Sequence, residues 1–356
     1  MPRTWQGGLL VTSVSVVLSL ACGGGDEGSP TTPSDGTNDP PPSPNYPPPA
    51  LTPTVTYPIA FIDGSSGLSV RRANGEMKAL ISDPSFEVHA AEWSPDADWL
   101  AFIADTASVP PAVAELFVVD STGTGVVQVS SAGDEVTGFT WSPDGARLAY
   151  ATRGGALWTV GRDGTGASEL TAAAAGASHP RWSPDDDWIL HTGSDSTGTP
   201  GVLRIRSTNT ELTLLVDAGP FFAWPARYSP DGGRIVFDDG LAIGIMNSDG
   251  SDRGLIASGT DVLARPEDPR WSPGGDYIAH TRGGLIEIID ARSGALLDTF
   301  RSTTAARFIS GPAVWGPDGV HIAFPSGDSI AVGELGRGTQ WAPTVEGSFV
   351  AWVPAG

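Results

Sequence analysis

The stretch Trp141-Ser142-Pro143-Asp144-Gly145-Ala146-Arg147-Leu148-Ala149-Tyr150 decides the fold, because the chain writes it repeatedly. Copies begin at Trp93, Trp182, Tyr228, Trp271 and Trp315, and a shortened one stands at Trp352-Val353-Pro354, so that successive copies lie 37 to 48 residues apart. A period of this size carrying strand patterns rather than helical ones is the length of one four-stranded propeller blade. Within each copy, proline presets φ at the second position of a type I turn, aspartate bonds to the local backbone, and glycine completes a hairpin. The tryptophan before the turn is then free to pack between blades.

Each unit reads as four strands from the axis outward. In the unit of Trp141 the first strand ends at that residue, the second covers 147–151, the third 156–160, and the fourth begins near Ser168. Third-to-fourth hairpins carry their own turn signatures, Arg162-Asp163-Gly164, Ser248-Asp249-Gly250 and Arg292-Ser293-Gly294. The longest repeat owes its length to an insertion between second and third strands, Asp105 to Glu115, which includes Pro110-Pro111. Ile59-Ala60-Phe61-Ile62 matches the second-strand run Leu100-Ala101-Phe102-Ile103, yet no turn motif precedes it, whereas Val350-Ala351-Trp352 offers a first strand with no second strand after it. The two ends therefore complete one blade. The expectation is an all-β chain: a single propeller of seven antiparallel blades over residues 58 to 356, closed by the C-terminal strand, with six blades and loose ends as the alternative.

Composition agrees with turns at short intervals, since 356 residues include 46 Gly and 31 Pro. A net charge of −21 with a single lysine, Lys78, leaves no basic stripe for a phosphate backbone and excludes nucleic acid as a partner. The acidity reads as solvated blade rims that give solubility. Cys22 is the only cysteine, which rules out an internal disulfide and a cysteine-based zinc cluster. Arg3 followed by the apolar run to Leu20 reads as a signal peptide over 1–21, too short for a stable membrane span. Its ending, Ser19-Leu20-Ala21-Cys22, resembles the bacterial lipoprotein box, although Ser19 stands where leucine is usual. That resemblance implies lipidation of Cys22, and Gly23 in place of an aspartate favours the outer membrane; cleavage near Ala21 with a free Cys22 is the alternative. Residues 22–57, with Pro40-Pro41-Pro42 and Pro47-Pro48-Pro49, have no apolar period to bury and read as a disordered, partly polyproline tether, reaching roughly 100 Å at about 3.1 Å per residue.

The turn motif with its Ile-Ala-Phe-like strand and Asp-Gly hairpin resembles the repeat of the TolB-type, WD40-like β-propellers. The resemblance covers nearly all of the chain beyond the tether. It implies a periplasmic or surface-facing propeller that binds other molecules. The archetype of that family differs in having six blades and an α/β domain ahead of them, where this chain has a Pro-rich tether.

Two faces follow from strand direction. The Trp-Ser-Pro turns share one, and the loops entering each first strand share the other, where propeller ligands usually meet the central channel. Residues entering the first strands there are Glu87 and His89, Glu135, His179, Phe222 and Trp224, Arg265 with Glu267 and Asp268, Phe308, and Glu346. Phe221-Phe222-Ala223-Trp224 is the most apolar of these loops and reads either as a binding anchor or as packing across the channel mouth. His89, His179, Glu87 and Glu135 come from three blades, too widely spread to share a metal ion, so neither metal nor cofactor is expected. His191 and His280 occupy the column that elsewhere holds Phe102, Tyr150, Phe237 and Phe324, and are read as packed between strands. No Gly-x-Ser-x-Gly elbow or added hydrolase block is present, so no catalytic residue is assigned. The sequence thus points to a non-enzymatic, lipid-anchored envelope scaffold whose loop face binds a protein or, second, a glycan. A carbohydrate-active lyase or hydrolase at the channel mouth is the alternative, with Arg265 and the histidines as its only candidates.

Overall fold

A computed structural model describes residues 58–63, 67–72, 74–106, 113–131, 133–208, 211–217, 225–258, 266–301, 313–326, 329–336 and 348–352. These form seven antiparallel sheets, six of four strands and one with three described strands. Seven first strands, Ser348–Trp352, Phe86–Trp93, Val136–Trp141, Ser178–Trp182, Arg227–Tyr228, Pro266–Trp271 and Val314–Trp315, stand at the inner edges of blades one to seven. Each contacts the next, and the last returns to the first, so the ring is closed. Blade one joins the two ends as the repeat count requires: Ile59–Ile62 pairs antiparallel with Ser348–Trp352, with Ile59 opposite Trp352. The count is seven, not six. The signal peptide, Cys22 and the tether lie outside the described residues.

The core is divided among seven seams, one between each pair of neighbouring blades. Period-two alternation builds them, because successive strand residues face opposite sides of a sheet and each blade is covered on both. In blade three, Leu148 and Tyr150 pack toward blade two while Ala149 packs toward blade four. Five of the second strands consequently read as unbroken apolar runs, and His191 and His280 interrupt the other two.

The repeated turn satisfies itself in a way that explains its spelling. Ser142 is fully buried; its Oγ donates to Asp144 Oδ1 at 2.6 Å and accepts the Arg147 N–H at 2.9 Å. Ser94, Ser183 and Ser229 repeat the arrangement in their own turns. The fifth position needs a positive φ: Gly145 takes 66°, but Ala97 at 60° and Asp186 at 67° hold it without being glycine. Four tryptophans also stitch the seams. Trp141, Trp271, Trp315 and Trp352 donate their indole N–H to the carbonyls of Glu92, Arg227, Arg270 and Val314 in the preceding blade, at 2.9 to 3.2 Å. Trp182 instead reaches the carbonyl of Asp186 within its own turn, at 3.3 Å.

Candidate functional site

The residue immediately before each repeat aromatic faces away from the seam that the aromatic fills, because side chains alternate along a strand. In blades four, five and six that residue is an arginine: Arg181, Arg227 and Arg270; in blade two it is Glu92. Although these come from different blades, they sense one another across the channel, since Glu92 is drawn electrostatically by all three arginines.

Asp268 organises the arginines. Its strand is bulged between Glu267 and Arg270, Asp268 takes φ 48°, and the carboxylate lies between two guanidiniums. Arg227 Nη2 donates to Oδ1 at 2.7 Å, and Arg270 Nε and Nη2 meet Oδ2 at 3.1 Å. Burial by itself would raise this carboxyl, but Arg270 and then Arg227 outweigh it and hold the group well below the usual carboxylate range. Arg227 Nε also donates to the Pro269 carbonyl at 3.1 Å, tying blade five to blade six.

Arg181 is treated differently. Its Nη1 donates to the carbonyls of Phe139 at 3.2 Å and Pro180 at 2.9 Å, which links blade four to blade three at the seam that Trp182 leaves unstitched. Among the described residues no carboxylate lies within ion-pair distance of it, and its Nε and Nη2 find no protein acceptor. Burial, then Arg227, pull its basicity below the usual arginine range, while the group stays charged at neutral pH. Burial acts on Glu92 in the opposite sense and raises its carboxyl, against the pull of Arg181, Arg227 and Arg270. His179, at φ 53°, is held neutral by burial and by the cations of Arg181 and Arg227. His179 and the three arginines share a cavity of about 310 Å³ with the carboxylates of Asp238, Glu267 and Asp268; Glu92 is not on its wall.

The described rim residues expected from sequence divide into two groups. His89 is tied to Asp105 of its own blade at 3.2 Å, and Glu135 pairs with Arg153 of its own blade. Glu87 is exposed opposite Asp105 in the strand pairing. His179, Glu267 and Asp268 do converge, at the cavity just described. Phe222, Trp224 and Arg265, with Phe308 and Glu346, lie outside the described residues. Among the described residues no three His, Cys, Asp or Glu side chains are grouped to hold a metal ion. His191 and His280 are each 1% exposed, and burial lowers the His191 imidazole to about 4. What the loop-by-loop reading missed is the arginine column. Its signal is plain once sought: three consecutive repeats read Arg-Trp, Arg-Tyr and Arg-Trp.

No protein-family model and no curated protein matches the sequence. Solved structures do resemble the fold. An oligogalacturonate lyase in complex with manganese aligns at TM-score 0.59 and 14% identity, covering 81% of this chain and 83% of that one. The oligogalacturonate lyase of Vibrio parahaemolyticus aligns at 0.56 and 13%, covering 78% and 82%. TolB from Acinetobacter baumannii aligns at 0.50 and 16%, covering 81% and 79%. At these identities the likeness is one of fold. The chain is a seven-bladed β-propeller with a TolB-like fold, shared with TolB and with oligogalacturonate lyases.

Proposed function

We propose that the protein is a non-enzymatic binding propeller of the cell envelope, anchored through a lipid on Cys22 at the outer membrane, whose channel mouth recognises a partner protein. The observation that carries this reading is the convergence of charged side chains from blades four, five and six on one cavity of about 310 Å³. Elsewhere on the rim, charges such as Glu135 are tied off within their own blades. A cavity lined by first-strand residues of three blades suits a partner's protruding residue. The envelope address rests on the signal-like segment ending at Cys22.

A photo-crosslinking amino acid placed at Glu267, beside the cavity, tests this in cells making the full chain. The same residue at Asp276, in the turn at the other end of that strand, is the control. Partner adducts are expected from position 267 and not from 276; adducts from 276 alone would overturn the assignment of the face. A second reading, a carbohydrate-active lyase or hydrolase at the same mouth, is favoured by one observation: His179 and Arg181 line one cavity, a base beside a cation. Cleavage of oligogalacturonate by the purified chain, with or without manganese, and its loss in His179→Ala, would replace the binding reading with this one.

A further inference from the structure

We infer that the channel mouth is a site for a single carboxylate, with Arg181 as its principal ligand. The inference rests on the proposed placement of recognition at this cavity and names the chemistry recognised there.

The three arginines are unequally paired. Arg227 and Arg270 share Asp268 and are satisfied by it. Arg181 lines the cavity and spends one nitrogen on two backbone carbonyls, and among the described residues its Nε and Nη2 have no acceptor. A guanidinium partly removed from bulk water without a carboxylate carries a desolvation cost that a guest anion would relieve. Its planar edge of two N–H groups matches the two oxygens of a carboxylate. The overall charge makes this placement informative: in a chain of net charge −21, three of the arginines are drawn together in the channel rather than spread over the surface.

The charge balance of the wall limits the guest to a monoanion. Three guanidiniums stand against the carboxylates of Asp238, Glu267 and Asp268, with Glu92 in electrostatic reach, so no positive charge is in surplus and the draw on an anion is local to Arg181. Asp238 Oδ1 accepts the Gly240 N–H at 2.7 Å, and Glu267 has a partner of its own, so neither is the counter-ion of Arg181. His179 stays neutral at physiological pH and offers a ring nitrogen for a hydrogen bond. A dianion such as sulfate or hydrogen phosphate would bring a second negative charge to a wall that already carries three carboxylates. Glu92 sets the affinity. Facing Arg181, Arg227 and Arg270, it competes with the guest for the same field, so removing its charge should tighten binding. His179 protonates only at acid pH and would act in the same direction.

The test is calorimetric titration of the purified mature chain at fixed ionic strength with four probes. Acetate is the minimal carboxylate; N-acetylglycine and D-glucuronate represent peptide and sugar sources; sulfate is the dianion. Saturable one-to-one binding of acetate is expected, with whichever of N-acetylglycine and glucuronate binds tighter identifying the source. Arg181→Met, which keeps the aliphatic stem, should weaken acetate by about tenfold or more. Glu92→Gln should strengthen it, and this variant keeps the test decisive if Arg181→Met fails to fold. Absence of saturable binding, acetate affinity unmoved in both variants, or sulfate binding as tightly as acetate would each overturn the inference. Loss of acetate binding with position-267 adducts retained would remove the ligand chemistry and leave the binding reading standing. Acetate binding without adducts would do the reverse.

Discussion

Asp268→Asn is the perturbation that separates the architectural role of the channel charges from their recognition role. The asparagine keeps the shape and one acceptor but leaves Arg227 and Arg270 as neighbouring cations without a counter-charge. Removing one partner of a fully buried ion pair costs about 3–5 kcal/mol. Here Arg227, Asp268 and Arg270 keep 13%, 24% and 23% of their side-chain surface exposed, so channel water screens part of that cost. A loss of about 2–3 kcal/mol at pH 7 is the expected result, or about 5 °C in Tm for a domain of this size. The pH dependence follows from the sign of the shift. The Asp268 carboxyl is held below its ordinary range in the folded chain. Its contribution is therefore complete above the unfolded carboxylate value, near 4, and fades as pH falls below that toward the folded value. Thermal unfolding of wild type and variant, followed by circular dichroism from pH 7 to pH 3, should show a gap that narrows below about pH 4. The same variant should bind acetate more tightly, because two guanidiniums are released to the cavity. A gap of constant size across that range, or a variant as stable as wild type at pH 7, would refute the bridging role of Asp268.

The turn makes two further predictions. Ala97→Gly should stabilise the protein by about 0.5–1 kcal/mol, since relief of the left-handed conformation exceeds the added freedom of the unfolded chain; a melting temperature at or below that of wild type would count against strain at this position. Ser142→Ala should cost about 1–3 kcal/mol by denaturant unfolding, because the hydroxyl accepts the Arg147 N–H at a fully buried position. A loss of less than half a kcal/mol would mean that this N–H finds another acceptor.

The fold was legible because each letter of the repeat has a local duty that little else performs. Ser142 must both donate and accept while buried, Gly145 must hold a positive φ, and Trp141 must reach the carbonyl of Glu92 in the preceding blade. Closure was legible for a related reason: Ile59-Ala60-Phe61-Ile62 has the apolar pattern of a second strand and needs a first strand from elsewhere, which Trp352 supplies. The site was less legible. His89 and Glu135 looked like display positions because they precede first strands, yet neighbours within their blades engage them. Arg181, Arg227 and Arg270 looked like ordinary strand residues. Their meaning depends on which side of the strand faces the channel and on the approach of three blades, neither of which a repeat period encodes. Asp268 needed more still, since it reaches its arginines through a bulge that breaks the alternation used to place it.

The most direct test of the central claim, recognition of an anionic group in the channel, is a crystal structure of the propeller soaked in 4-bromobenzoate, read by the anomalous scattering of bromine. A bromine peak inside the channel, with the carboxylate seated against Nε and Nη2 of Arg181, is the result predicted. Bromine confined to the outer surface, with Arg181 facing only solvent, would contradict it.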